Sequence, residues 1–416
     1  MKQVGNRRGR MAAVAMVGVL SLVLAGCGGS DDDGDETPDD DKQTTSLGEK
    51  NPATGEPITI GVPSEISPDE DGRATGYRAA AAYINEYLGG LNGHPVELDE
   101  CAVNNSPSGA TKCGVQWGNN DVDAVIVTNI GTSVNIYKAL EGSGIPYLTQ
   151  LTADIDVLGS TEAFVLYNPF GIGNATIAVA KDKGVDNVAF VMPDLPSTTG
   201  PIRELTGPRY EAAGLELQIV PIPTQVADPT AAIQQAINEG AGQLVFFGAT
   251  EFVTTGIKSA KQLGFSGPIV TQVSGFPEDQ IASVPGGMED VIVLGATTLD
   301  ESSEDRKLYN TVLEEYAGDA KVDDIETSNA YAVLLALQRA LELTPDAGGD
   351  AASIMDSLKN MKKPVPLPLG GGMTFQCGAD KVPILPASCV GSTLRSDLGA
   401  DGKAVKEQVL VAADAD

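Results

Sequence analysis

The 416-residue sequence predicts an α/β protein of two doubly wound parallel-sheet lobes joined by a hinge that the chain crosses three times. Three observations carry that prediction. From Pro57 onward, short β-branched or apolar runs alternate with helical stretches, the signature of βαβ units with right-handed crossovers. The alternation restarts after Tyr167-Asn168-Pro169. Strands then cease near Ala296-Thr297, and the helices that follow must cover a sheet already built, most simply the first one.

Taken in order, Ile58-Thr59-Ile60-Gly61-Val62 is the first strand. Gly72 to Leu88 is a helix, because Tyr77, Ala80, Ala81, Ile84 and Leu88 recur at helical spacing and Gly89-Gly90 stops it. Val96-Glu97-Leu98 is the second strand, and Ser108 is expected to cap a helix running through Trp117. Ala124-Val125-Ile126-Val127 is a continuous apolar strand of the kind buried on both faces. A helix from Ser133 to Leu140 and a strand Ile145-Pro146-Tyr147-Leu148 complete a βαβαβαβ unit.

The second lobe repeats the pattern. Helices at 172–183, 202–213, 230–239 and 252–263 alternate with strands at 188–192, 217–220, 244–247 and 268–270, and Val291-Ile292-Val293-Leu294 follows. Helices are expected at 302–316, 326–343 and 351–361. A third crossing is placed in Lys363-Pro364-Val365-Pro366-Leu367-Pro368. Lobe one is then residues 57–168 with 297–363, and lobe two 169–296 with 364–416. Neighbouring strands joining two such lobes make a hinge.

The start of the chain has a different grammar. Lys2, Arg7, Arg8 and Arg10 precede an apolar run from Met11 to Leu24, and Leu24-Ala25-Gly26 leads to Cys27. A basic segment, a short apolar segment and small residues before a cut site make a secretory signal peptide, here residues 1–26. The run is shorter than the ~20 residues a membrane span needs. The pattern resembles a bacterial lipoprotein box, which implies a lipid on Cys27 and a mature protein tethered outside the cytoplasm. Residues 27–56 then carry Asp31-Asp32-Asp33 and Asp39-Asp40-Asp41 with almost no apolar residues, so they are expected to be a disordered acidic tether.

Composition narrows the function. With 57 acidic against 27 basic residues, net charge is -30, and such a surface repels phosphate backbones; nucleic acid is not an expected partner. Besides Cys27 there are Cys101, Cys113, Cys377 and Cys389. Four cysteines allow three pairings; the local one, 101–113 and 377–389, closes two short loops and is the expected one. One histidine, His94, and no Cys-x-x-Cys argue against a metal site. His94 precedes Pro95 at a strand start and reads as a surface turn residue rather than a catalytic base. No cofactor is implied.

A local motif adds a resemblance. Gly76-Tyr77-Arg78-Ala79-Ala80-Ala81-Ala82-Tyr83-Ile84-Asn85-Glu86, then Gly89-Gly90-Leu91-Asn92-Gly93 and a strand ending at Asp99-Glu100-Cys101, resembles the first helix and second strand of the branched-chain amino-acid-binding proteins. Those are solute receptors of ABC importers with the type I periplasmic binding fold. Their paired cysteine in the next helix is similar to Cys113. Gly90 and Gly93 suit turn positions with positive φ.

In open parallel sheets, ligands lie beyond the carboxyl ends of the strands. Those loops are Pro63 to Ser67, Asn129-Ile130-Gly131-Thr132-Ser133 and Thr149-Gln150-Leu151-Thr152 in lobe one. In lobe two they are Asp194 to Thr199, Gly248 to Glu251 and Gln272-Val273-Ser274. Gly131-Thr132-Ser133, between a buried strand and a helix start, offers free backbone N–H groups and two hydroxyls to a carboxylate. The resemblance implies that Thr132 or Ser133 and Thr152 share that role; Asn129, Gly131, Gln150, Thr198, Thr250 and Gln272, in the same strand-end loops, complete the expected ligand set. It also shows departures. Phe170-Gly171-Ile172-Gly173-Asn174 has no acid where the family holds the α-ammonium near the first crossing, and Gln272 stands where glutamate is expected. A buried ammonium must be matched by charge: either Glu251 supplies it, or the solute is an uncharged amide, a carboxylate without the amine or another small polar molecule.

The sequence therefore points to a lipid-anchored, monomeric, non-enzymatic solute receptor whose partners are an ABC permease and its ATPase. The alternative is a ligand-sensing module acting with a separate signalling partner. A secreted hydrolase is disfavoured because no Gly-x-Ser-x-Gly elbow joins a strand to a helix.

Overall fold

The computed structural model describes residues 47–120, 122–152, 154–168, 170–195, 199–200, 202–273, 275–318, 324–378 and 385–411. The signal peptide, Cys27 and Thr198 lie outside the described residues, as does the tether up to residue 46. Among the described residues no helix is long and apolar enough to cross a membrane.

Lobe one is built on strands β1 (Ile58–Ser64), β2 (Val96–Ala102), β3 (Ala124–Val127), β4 (Tyr147–Thr149) and β5 (Ala163–Val165), all parallel in the order β2-β1-β3-β4-β5. Helices α1 (Gly72–Tyr87), α2 (Pro107–Asn119), α3 (Ser133–Leu140) and the single turn α4 (Ile155–Leu158) connect them. Neither α4 nor β5 was expected, because a three-residue strand shows no periodicity. Ser106 rather than Ser108 caps α2: its hydroxyl accepts the Gly109 amide at 3.0 Å, and Pro107 opens the helix. Gly90 and Gly93 have φ of 76° and 94°, a conformation that glycine adopts without the strain of a β-carbon.

The chain then enters lobe two through α5 (Gly171–Lys183), β6 (Asn187–Pro193), α6 (Gly207–Ala212), β7 (Glu216–Ile222), α7 (Thr230–Asn238), β8 (Gln243–Phe246), α8 (Thr250–Gln262), β9 (Ile269–Thr271), α9 (Glu278–Ser283) and β10 (Val291–Gly295). It returns to lobe one with α10 (Glu304–Tyr316), α11 (Ile325–Leu341) and α12 (Ala351–Lys359), then a short antiparallel pair, β11 (Val365–Pro366) and β12 (Thr374–Phe375). As expected, the late helices cover the first sheet: Tyr309, Leu334, Leu337 and Ile354 share one core with Ile58, Ile60, Tyr77 and Ile84. The chain ends as β13 (Ser392–Leu398) and β14 (Ala404–Val411), added antiparallel to a sheet of order β14-β13-β10-β9-β8-β6-β7. The two C-terminal strands were not foreseen.

Two expected boundaries move. The prolines at 364–368 do not mark a crossing. Val365, Leu367, Leu369, Met373 and Phe375 bury their side chains in the lobe-one core, and Pro366 is tolerated because this pair is an edge. Residues 387–389 then line up along the free edge of β5, where Val165 N–H donates to the Ala387 carbonyl at 2.7 Å and Cys389 N–H to the Val165 carbonyl at 2.9 Å. The third crossing lies between Val390 and Ser392, 25 residues later than expected. Nor does the tether reach residue 56. Asn51 and Ala53 N–H groups cap the orphan carbonyls of Glu86 and Asn85 at the end of α1, at 3.0 and 2.8 Å.

The disulfides join Cys101 to Cys113, tying β2 to α2, and Cys377 to Cys389, tying the β11–β12 excursion to the edge of β5. Replacing Cys377 and Cys389 together with serine is expected to lower stability by about 2–3 kcal/mol, the entropy of opening a short loop in the unfolded chain. Denaturant titration under non-reducing conditions checks this, and a loss below about 0.5 kcal/mol would contradict it.

Candidate functional site

The chain leaves lobe one from the carboxyl end of β5 and enters lobe two at the start of α5. Because α5 runs back to the amino end of β6, its own start lies level with the carboxyl ends of the second sheet. The carboxyl ends of both parallel sheets therefore face one cleft, beside the crossings. Gln272, just after β9, donates from Nε2 to the Tyr167 hydroxyl at 3.1 Å and fastens the lobe-two lip to the first crossing. Burial pushes the Tyr167 phenol up to about 12, so it stays neutral and can accept that bond.

On the lobe-one lip, β3 delivers Thr128 to Ser133. Asn129 and Gly131 are exposed, and a side chain at Gly131 would meet open space. Thr132, not Ser133, is the N-cap of α3, yet its hydroxyl bonds no backbone amide of the helix and is buried without a partner. An N-cap hydroxyl ordinarily accepts from the first turn, so Thr132 leaves both itself and part of that turn unspent. Ser133 is the first helical residue; its N–H bonds Ile130 and its carbonyl accepts the Tyr147 hydroxyl at 3.2 Å. Gln150 N–H is held by the Val127 carbonyl at 3.0 Å. Buried Thr152 accepts the Asp154 amide at 3.1 Å and keeps its own proton to donate. On lobe two, Thr250 opens α8 and spends its carbonyl on the Thr254 hydroxyl at 2.8 Å. His94 lies in the turn before β2, where Nδ1 bonds the Glu56 carbonyl. Among the described residues no cluster of His, Cys, Asp and Glu is arranged to hold a metal ion.

Sequence reasoning missed the group that holds this lip in place. Arg73, in the first turn of α1, is 7% exposed and lies 3.3 Å from Asp71, 3.5 Å from Glu65 and 3.0 Å from Glu326 at the start of α11. Its Nη2 also donates to the Asn129 carbonyl at 3.0 Å. Asp71 in turn caps α1 through the Arg73 amide and accepts the Glu65 amide at 2.6 Å. One guanidinium thus joins the loops after β1 and β3 to two helix starts. Burial pushes the Glu326 carboxyl above its ordinary range despite the arginine beside it. The legible signal was Asp71-Gly72-Arg73, a cap and a cation at a predicted helix start. A second missed group lies at the crossing: the Arg209 guanidinium stacks 4.2 Å from the centre of the Phe170 ring and donates to Asn174 Oδ1 at 2.9 Å. The rim of the site also carries exposed Ile66, Ile155 and Leu195.

The family model described as periplasmic binding protein matches residues 57–389, and the chain belongs to that family. No curated protein matches the sequence at a significant level. Among solved structures, the chain is similar to the branched-chain amino acid transporter substrate-binding protein LivJ of Streptococcus pneumoniae in complex with isoleucine, at 15% identity over 86% of this chain and 100% of that one, with a TM-score of 0.60. It is similar to a solute-binding protein of an ABC transporter from Rhodopseudomonas palustris HaA2 in complex with p-hydroxybenzoic acid, at 16% identity over 86% and 98% of the two chains, TM-score 0.67. A fatty acid ABC transporter substrate-binding protein from Thermomonospora curvata matches at 16% identity over 88% and 95%, TM-score 0.64. Identities this low carry the fold alone: two α/β lobes of the type I periplasmic binding class. The resemblance read from Gly76 to Cys113 holds at the level of family.

Proposed function

We propose that the protein is the extracytoplasmic solute receptor of an ABC importer, anchored by lipid on Cys27, and that it binds one small polar solute between its lobes as a monomer. The observation that carries this reading is the unpartnered Thr132 hydroxyl at the uncapped start of α3, with open space at Gly131. Those donors suit a carboxylate or carbonyl oxygen, with the Thr152 hydroxyl as a second donor. Contacts from Thr250 and Gln272, and from Thr198, form in full only when the lobes shut, so ligand shifts the population toward the closed state. The closed lips, with Ile66, Ile155 and Leu195 on their rim, then dock on the permease and its ATPase partner. Proteins of similar fold include complexes with isoleucine and with p-hydroxybenzoic acid and a fatty acid transporter's binding protein; the solute here is an amino acid or a related amide or carboxylate.

Native mass spectrometry of freshly purified protein, followed by thermal shifts against amino acids, amides and carboxylates, tests this. A true ligand raises the melting temperature by an amount that grows with the logarithm of concentration above Kd. Thr132→Val should weaken that ligand about tenfold, the loss of one hydrogen bond to a charged or strongly polar group. A panel with no shifting member, or a shift untouched by Thr132→Val, would overturn the assignment.

A further inference from the structure

In a chain with 57 acidic and 27 basic residues, a half-buried arginine with no carboxylate beside it is unusual. Arg73, Arg78, Arg339 and Arg395 each lie within 3.5 Å of an acid. Arg209 does not: among the described residues its contacts are the Phe170 ring and the Asn174 side-chain oxygen. Burial lowers its pKa, and no acid acts to raise it back. Removing a cation from water costs free energy unless an opposite charge replaces the water, so the geometry lacks an anion.

The position says which anion. Phe170 is the last residue before α5, immediately after the first crossing, and it also packs against the lobe-one cluster that contains Val165 and Ala387. Asn174 is in the first turn of α5, and its Oδ1 is committed to Arg209, which leaves the amide N–H groups as its remaining donors. Phe170, as the N-cap of α5, offers that helix no side-chain acceptor. The crossing end of the cleft is therefore an apolar ring with a fork of guanidinium and amide donors, free of carboxylates among the residues just named. That chemistry fits a planar carboxylate with an apolar body and rejects an ammonium.

We propose that Arg209 anchors the ligand's carboxylate and that the solute is a small organic acid lacking an α-ammonium group. The proposal rests on the interlobe binding reading above, with Thr132 holding a second oxygen of the same molecule from lobe one.

The test is isothermal titration of the purified full chain with straight-chain monocarboxylates from acetate to octanoate, with benzoate and 4-hydroxybenzoate, and with isoleucine and isoleucinamide. Carboxylates should bind, more weakly as salt rises, and the two amines should not. Arg209→Gln should weaken the best carboxylate about 10- to 100-fold, and Arg209→Lys, which keeps the charge but not the fork, by a smaller factor. Phe170→Leu, which leaves the guanidinium in place, guards against a folding defect at residue 209 and should cost about threefold or more. If Thr132→Val weakens the carboxylate while Arg209→Gln does not, the anchor is wrong and the cleft reading stands. If neither substitution matters, the cleft reading fails with it. Binding of isoleucine or isoleucinamide in place of the carboxylates, or of none of these compounds, overturns the proposal.

Discussion

Replacing Arg73 with methionine is expected to lower stability by about 3–5 kcal/mol at neutral pH, the cost of leaving a buried charge without its partner. Asp71 is 3% exposed, and Glu65 and Glu326 are about two-thirds buried or more; the three carboxylates share this one guanidinium. Methionine keeps the packing of the stem and removes the charge, so the loss reads electrostatics rather than a cavity. Without Arg73 the Glu326 carboxyl, already held above its ordinary range by burial, loses the cation that pulls it down, so its folded-state pKa rises further above the unfolded value and the folded state binds that proton more tightly. The deficit is therefore present at neutral pH and shrinks as pH falls through the raised value. The same substitution frees the Asn129 carbonyl, so the loop ahead of α3 loses its tie to α1 and ligand affinity should fall with stability. Urea unfolding at pH 7.5 and pH 4.5 measures both effects. A variant within 1 kcal/mol of the parent at pH 7.5, or one whose deficit grows with acid, would show that the cluster is solvated and not load-sharing.

The contrast between Arg73 and the strands around it shows what a single sequence exposes. Ala124–Val127 and Ser133–Leu140 were placed to the residue, because an unbroken apolar run and a helical repeat are local signals that packing only reinforces. The β5 strand failed because its identity comes from β4 on one side and residues 387–389 on the other, contacts more than 200 residues apart in the second case. The third crossing failed for a related reason. Three prolines read as a linker, whereas Val365 and Leu367 between them and Leu369 just after are core residues, and nothing local says which sheet an extended apolar segment will join. At the site, the loops were legible from topology and the hydroxyls from their place after a buried strand. The charges were not. Asp71 and Arg73 stand together at a helix start, but Glu326 lies far along the chain, and only the docking of α11 beside α1 brings it to the same guanidinium. Arg209 was invisible for the opposite reason: its meaning lies in the acid it lacks.

Substituting valine for Gly76 should be nearly as damaging, and it tests how α1 and α11 position that cluster. A β-carbon at Gly76 would lie 2.2 Å from the Thr327 carbonyl oxygen and 3.0 Å from the Ala330 β-carbon, and at Gly72, one turn earlier, it would lie 2.7 Å from both Asp324 Oδ2 and Thr327 Oγ1. The helices therefore meet backbone to side chain at Gly72 and backbone to backbone at Gly76, where the obstacle is a helical carbonyl that cannot rotate away. Alanine in an exposed helix would stabilise by about 1 kcal/mol over glycine; here even alanine forces the axes apart by more than that gain repays. Valine adds two methyl groups to a seam already closed, for an expected loss of about 3 kcal/mol or more. Because Glu326 and Thr327 are adjacent, the displaced α11 carries Glu326 away from Arg73, and ligand binding should weaken in a protein that is still folded at low temperature. Denaturant titration and ligand titration of Gly76→Ala and Gly76→Val, set beside Gly118→Ala on the exposed side of α2, where an added β-carbon meets only the Leu140 side chain at 3.7 Å, separate the mechanisms. If Gly76→Val loses no more stability than the Gly118→Ala control, the helices are not in the close contact that places Glu326, and the coupling between this seam and the cleft is wrong.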